Sequence, residues 1–278
     1  MTTKNIERIL IPTDYSANAQ RATRMGISLA KEIGADVFLF HSYNTAAINM
    51  AENVIIMEDI KTIEDERLND AVAEMKVEYG DVNIQCILEF GSVVDWMSRV
   101  VDVKKIDLIV MGTKGETDAL NKIFGSVATH VINHITCPVL IIPKGHRSYT
   151  ISEVLFATDF HFTVDVANYL APFLQLAHDF DPYIHVVQFK SDLGPGPHIK
   201  NIEELKLTGL LKHTKHSYHY LETDNTEQAL FEFAEKSHCD LIVMVTRNYT
   251  LWEKIFHRSF TKKIALHSEI PVLILHEK

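Results

Sequence analysis

The chain contains itself twice, and no other feature limits its fold as strongly. The stretch ILIPTDYS from Ile9 to Ser16 returns as VLFATDFH from Val154 to His161, displaced by 145 residues. DLIVMGT from Asp107 to Thr113 returns as DLIVMVT from Asp240 to Thr246, displaced by 133. PVLII from Pro138 to Ile142 returns as PVLIL from Pro271 to Leu275, again at 133. The order is kept, so this is a tandem duplication with about a dozen residues lost inside the second copy. A period near 140 is a whole domain, not the unit of a solenoid. The linker, Lys144 to Thr150, is short and polar, which predicts domains at 1–145 and 151–278.

Each copy alternates strand and helix. In the first, Arg8–Pro12 reads as a strand and Ala17–Ile33 as a helix, opened by Ser16 and closed by Gly34. Ala35–Tyr43 is a strand, Glu58–Tyr79 a long charged helix and Val82–Phe90 a third strand. Ser92–Val103 is helical, Ile106–Met111 a fully apolar strand, Ser126–His134 a helix and Val139–Ile142 the last strand. Continuous apolar runs mark strands covered on both faces. The second copy follows, with strands near 153–158, 182–189, 214–222, 240–245 and 272–275. The pattern predicts two tandem doubly wound α/β domains, each a five-stranded parallel, Rossmann-like sheet. Val139–Ile142 and Val272–Leu275 are apolar edges that need covering.

Composition narrows the function classes. The net charge is −10, with 14 basic against 20 acidic residues up to Gly145 and 13 against 17 beyond it. Nucleic-acid binding rests on phosphate neutralisation, so it is not expected. No apolar run approaches the roughly 20 residues of a membrane span, and the start MTTKNIER has no secretory character. Cys86, Cys137 and Cys239 are far apart, with neither a disulfide framework nor zinc spacing. A reducing cytoplasm is the expected location.

In doubly wound sheets ligands sit beyond the carboxyl ends of the strands. There the first copy carries Gly112-Thr-Lys-Gly115, nine residues, then Gly125-Ser126 opening a helix. This G-x-x-G-x9-G-S pattern is roughly a 1% event by chance at average composition. Gly112 and Gly115 let the backbone turn and approach a ligand. Gly125 and Ser126 stand at a helix N-terminus, which favours an anion. Lys114 and Lys122 add positive charge or are simply solvated. The alternative for the glycines is plain turn and cap duty. The second element is Pro12-Thr13-Asp14-Tyr15-Ser16. Asp14 suits an adenine amino group or a ribose hydroxyl. Taken alone, it suits a helix cap better.

Strand–PTDxS–helix, then strand–MGxxG-x9-GS–helix–PVL strand, resembles the universal stress protein family in its tandem form, over essentially both halves. The resemblance implies a fold like that of the adenine nucleotide alpha-hydrolases and a stress-response protein that binds ATP. It implies that Pro12, Thr13 and Asp14 hold the adenosine and that the main chain near Ser42 approaches the adenine. Met111, Gly112 and Gly115 would line ribose and phosphates, and Gly125, Ser126 and Val127 would bind the phosphates. A divalent ion, Mg2+ or Mn2+, would accompany them. Hydrolysis would be weak or absent. It also implies that edge strands pair across a two-fold axis, which the duplication can satisfy as an intrachain pseudo-dimer; further homodimerisation stays open.

The second copy departs from the pattern. Val245, Asn248 and Arg258 replace Gly112, Gly115 and Gly125, and Ala157 replaces Pro12, while Ser259 keeps its identity. It is expected to keep the fold and lose this nucleotide mode; the alternative is a different anion held by Arg247 and Arg258. His213, His216 and His219 form H-x-x-H-x-x-H, but on a strand His216 faces away from the others, so a solvated polar strand is expected rather than a metal site. The Leu193–Pro197 loop reads as a connector. The Met50–Met57 stretch suits a nucleotide cover or an interface equally. The P-loop, G-x-S-x-G and H-E-x-x-H patterns are absent, and no base for a water nucleophile is evident. The competing function is a non-nucleotide interaction scaffold of the same fold.

Overall fold

A computed structural model describes residues 5–44, 54–113, 126–145, 150–160, 165–189, 197–223, 225–246 and 261–277. The first half runs β1 (Arg8–Pro12), α1 (Ala17–Ile33), β2 (Asp36–Tyr43), α2 (Val54–Tyr79), β3 (Ile84–Phe90), α3 (Val93–Lys104), β4 (Leu108–Gly112), α4 (Ser126–His134) and β5 (Val139–Ile142). The second runs β6 (Glu153–Ala157), α5 (Val166–Tyr169), α6 (Ala171–Phe180), β7 (Tyr183–Phe189), α7 (Pro197–Leu210), β8 (Lys215–Leu221), α8 (Thr226–Lys236), β9 (Leu241–Thr246), a helix over 261–267 and β10 (Val272–His276).

All ten strands form one sheet in the order β3-β2-β1-β4-β5-β10-β9-β6-β7-β8. Each half is the parallel 3-2-1-4-5 arrangement expected of a doubly wound domain. The halves join through β5 and β10, the one antiparallel pair in the order, with Val272 opposite Ile141, Leu273 opposite Leu140 and Ile274 opposite Val139. The two apolar edges thus cover each other.

Alternation sends Ile9, Ile11, Val37, Leu39, Leu140 and Leu273 to one face and Leu10, Phe40, Ile109, Val139 and Val272 to the other. The first face packs Met25 of α1, Leu68 of α2, Phe173 of α6 and Leu207 of α7. The second packs Met97 of α3, Val131 of α4, Leu230 of α8 and Ile264. Both cores run unbroken across the junction.

The repeated DLIV segment has a local reason. Asp107 Oδ2 accepts from the Glu7 and Arg8 amides, both at 3.1 Å. Asp240 Oδ2 accepts from the Ser152 amide at 2.8 Å. Each aspartate fastens the start of the first strand of its half to the start of the fourth. Ser16 caps α1, accepting from the Ala19 amide at 3.2 Å, and Gly34 closes it at φ 72°. Most boundaries fall within one or two residues of the sequence expectation, and two differences are larger. α2 begins at Val54 rather than Glu58, because the apolar VIIM run continues the helix. The counterpart of α1 is split into α5 and α6, with Pro172 in the first turn of α6, where a missing amide is tolerated.

Candidate functional site

The strand order reverses at β1, whose neighbours are β2 and β4. The carboxyl ends of β1 and β4 are therefore adjacent, and the chain leaves them in opposite directions. This brings Pro12, Thr13 and Asp14 beside Met111 and Gly112, with Ser42 on β2 at the flank. α4 opens at Ser126 on the same edge, because a crossover helix starts at the end of the preceding strand. Val127 is half-buried and packs on the second core. Gly115 and Gly125, with Lys114 and Lys122, lie outside the described residues.

The loop after β1 is closed by its own side chains. The Thr13 amide donates to the Phe40 carbonyl at 2.8 Å, continuing the β1–β2 ladder by one residue. The Tyr15 amide donates to Thr13 Oγ1 at 3.0 Å and the Ser16 amide to Asp14 Oδ1 at 3.1 Å. Tyr15 sits at φ 63°, the left-handed region that side chains seldom adopt. Asp14 thus closes a local turn onto the Ser16 amide, whereas the cap of α1 expected of Asp14 is supplied by Ser16. Thr13 supplies a second turn, which sequence reasoning assigned to ligand contact alone.

Gly112 has a reason of its own. A Cβ there would lie 2.4 Å from Asn18 Nδ2 and 3.2 Å from the Asn18 carbonyl oxygen. Asn18 is buried in the first turn of α1. The missing side chain at Gly112 therefore lets α1 dock on β4, whether or not a ligand is held. Met111 is buried in the second core, so only its main chain can face a ligand.

Three side chains that the sequence reading did not connect to the site, His41, Glu64 and Arg67, gather with Tyr15 under the loop. His41 Nδ1 lies 2.7 Å from the Thr13 carbonyl oxygen. A carbonyl only accepts, so Nδ1 carries the proton. His41 Nε2 lies 3.5 Å from Glu64 Oε2 on α2. The Tyr15 ring stands 4.6 Å from the His41 ring, and the Arg67 guanidinium lies 4.0 Å above the Tyr15 ring. Burial, then the Glu64 charge, pushes the Tyr15 hydroxyl well above its usual range. The one hint in the sequence is a histidine within an otherwise apolar strand. Its partners on α2 lie more than twenty residues away and leave no local signal.

The second copy repeats the loop and changes its surroundings. The Thr158 amide donates to the Val187 carbonyl at 3.0 Å, the Phe160 amide to Thr158 Oγ1 at 3.1 Å, and Phe160 sits at φ 56°. Register places Gln188 where the first copy has His41. Val245 stands in place of Gly112, half-buried against the core. Arg247, Asn248, Arg258 and Ser259 lie outside the described residues. His216 turns to Tyr218, at 5.6 Å between rings, whereas His219 faces His185 on the other side of the sheet. The three histidines of the repeat do not converge.

Comparison with known proteins agrees with this architecture. The sequence profile of the Universal stress protein family matches residues 5–143 and 179–276. Universal stress protein MJ0531 of Methanocaldococcus jannaschii is 30% identical over 144 residues, 51% of this chain and 84% of that protein. The crystal structure of a universal stress protein from Archaeoglobus fulgidus superposes with a TM-score of 0.75 at 17% identity, covering 98% of each chain. A putative universal stress protein from Pseudomonas aeruginosa superposes with a TM-score of 0.66 at 13% identity, over 98% of this chain and 93% of the other.

Proposed function

The chain belongs to the universal stress protein family, as two tandem copies of its domain, and from that premise we propose that the first copy binds ATP together with a divalent ion. The observation that carries the reading is the meeting of the PTD loop and the Met111-Gly112 strand end where the strand order reverses. In a doubly wound sheet that crevice is where ligands are received. Pro12, Thr13 and Asp14 would contact the adenosine, with the Ser42 main chain at the adenine. Gly112 and Gly115 would line the ribose and phosphates. The amides of the first turn of α4, with Gly125, Ser126 and Val127, would meet the phosphate charge, as helix N-termini do. The carboxylate of the described loop, Asp14, accepts from the Ser16 amide in its own turn. Binding rather than turnover is the activity proposed.

The second copy serves as partner. Its strand β10 lies against β5 as a second subunit's edge would, so we read the molecule as an intrachain pseudo-dimer with a boundary between 145 and 151. Among the described residues no helix is long and apolar enough to cross a membrane. All three cysteines are free, which supports a reducing compartment.

One observation favours the competing scaffold reading: Asn18 already accounts for the lack of a side chain at Gly112. A thermal-shift titration with ATP and magnesium separates the two. ATP at 100 times its Kd stabilises the folded state by about 2.7 kcal/mol. The proposal expects a concentration-dependent rise that Gly115→Val removes and Asn248→Val leaves intact. No rise at millimolar ATP would decide for the scaffold.

A further inference from the structure

The second copy holds a diagonal staircase of polar side chains that runs from the amino end of β6, across the middle of β7, towards the carboxyl end of β8. Leu155 pairs with His185, His185 with Ser217, and Val187 with His219. Glu153, His185 and His219 therefore descend by two residues per strand on one face of β6, β7 and β8. His185 Nε2 lies 3.0 Å from Glu153 Oε2, and His185 Nδ1 lies 3.2 Å from His219 Nε2. Ser217 Oγ lies 2.7 Å from the same His219 nitrogen. The rings are wedged by Phe233 of α8, at 5.6 Å from His185 and 4.8 Å from His219, and by Tyr183 at 4.9 Å from His185.

The fold does not require this trio. By register, the first copy places Arg8, Phe38 and Ile87 at the same three positions. Phe38 is buried there and closes the corner with apolar surface. Polar groups withdrawn from water weaken a fold unless something repays their lost hydration. The second copy accepts part of that cost, since Glu153, His185 and His219 are half-buried.

We propose that His185 and His219 bind a divalent transition-metal ion, with Glu153 orienting His185 from behind. A carboxylate accepts, so His185 Nε2 donates to Glu153 and Nδ1 is left with its lone pair toward His219. Without an ion, the hydrogen on His219 Nε2 bridges the two facing nitrogens; when the ion takes its place, His219 carries that proton on Nδ1 instead and both nitrogens present lone pairs. With metal–nitrogen bonds of about 2.0–2.1 Å, nitrogens 3.2 Å apart subtend about 100° at the ion, close to tetrahedral. The carboxylate–histidine–metal arrangement fixes the tautomer and raises the basicity of the ligand. Imidazole pairs favour zinc, nickel, copper and cobalt over magnesium or calcium. Among the described residues no three of His, Cys, Asp and Glu form a cage, so Ser217 and water complete the shell and the ion exchanges freely. This site does not depend on the nucleotide reading.

Zinc chloride titrated calorimetrically into the full chain tests the proposal. One site of micromolar affinity is expected. His185→Ala and His219→Gln should each weaken it at least tenfold, and Glu153→Gln by about tenfold. The glutamine at 219 keeps a polar contact without a metal ligand, which guards against loss of the fold. The exposed pair His130 and His134, whose rings stack at 4.0 Å on α4, is the competing binder. The double variant His130→Ala/His134→Ala should leave the site unchanged. No heat with the wild-type chain, or an isotherm untouched by His219→Gln, overturns the proposal.

Discussion

Leu140 and Leu273 face each other across the antiparallel junction of the sheet, and each is the other's duplicate at the displacement of 133 residues. Their neighbours exchange symmetrically, Val139 with Ile274 and Ile141 with Val272. A local two-fold axis therefore passes between the two leucines. Both side chains are buried in the same core.

Leu140→Ala and Leu273→Ala should destabilise to a similar degree, each by about 2–5 kcal/mol, as buried leucine truncations do. The double variant should cost less than the two together, because the residues touch. Urea unfolding of the three variants measures this. A large loss at one position and none at the other would show that the axis is not an energetic one.

Gly112→Ala should destabilise by about 1–3 kcal/mol through the clash with Asn18. Adding Asn18→Ala should restore much of that loss. If ATP raises the melting temperature of the wild type but not of the repaired double variant, a ligand also needs the bare backbone at Gly112 or the Asn18 amide. A repaired variant that still responds to ATP would leave packing as the only role of this glycine.

Thr13→Val and Thr158→Val each remove the acceptor of one turn amide, Tyr15 in the first copy and Phe160 in the second. Each should cost about 1 kcal/mol. Only Thr13→Val should also blunt the response to ATP. Equal loss of response in both would contradict the proposed asymmetry of the copies.

His219 should make stability depend on pH. Burial, then His185, lowers its proton affinity in the folded state. Below about 6.5 the unfolded chain takes up a proton that the folded one resists, so stability falls as pH drops and levels off below the folded value. His219→Gln should flatten urea midpoints between about pH 7 and pH 5, measured with a chelator present. An unchanged slope would remove His219 as the source.

The sequence carried the architecture where it was periodic. β5 and α4 fall on the residues that apolar spacing predicts, since Val127 and Val131 face the core one turn apart. It carried the site only as far as strand ends are local. Pro12 to Asp14 and Met111 to Gly112 announce themselves by glycine, proline and turn chemistry. Asn18 and His41 do not, because their importance lies in what a sheet register and a helix packing bring against them. Asn18 reads as an ordinary first-turn residue until Gly112 is seen beneath it. His219 belongs to a visible histidine repeat, yet its partner is His185, which no spacing within the repeat could name.

The junction has a consequence for synthesis. β5 leaves the ribosome more than a hundred residues before β10, and at about 5–20 residues per second it waits on the order of ten seconds for its partner. Through that interval a four-residue ribbon of buried-type side chains stands uncapped on a nascent half-molecule. A truncated or stalled polypeptide would then display a sticky border open to any other unpaired strand.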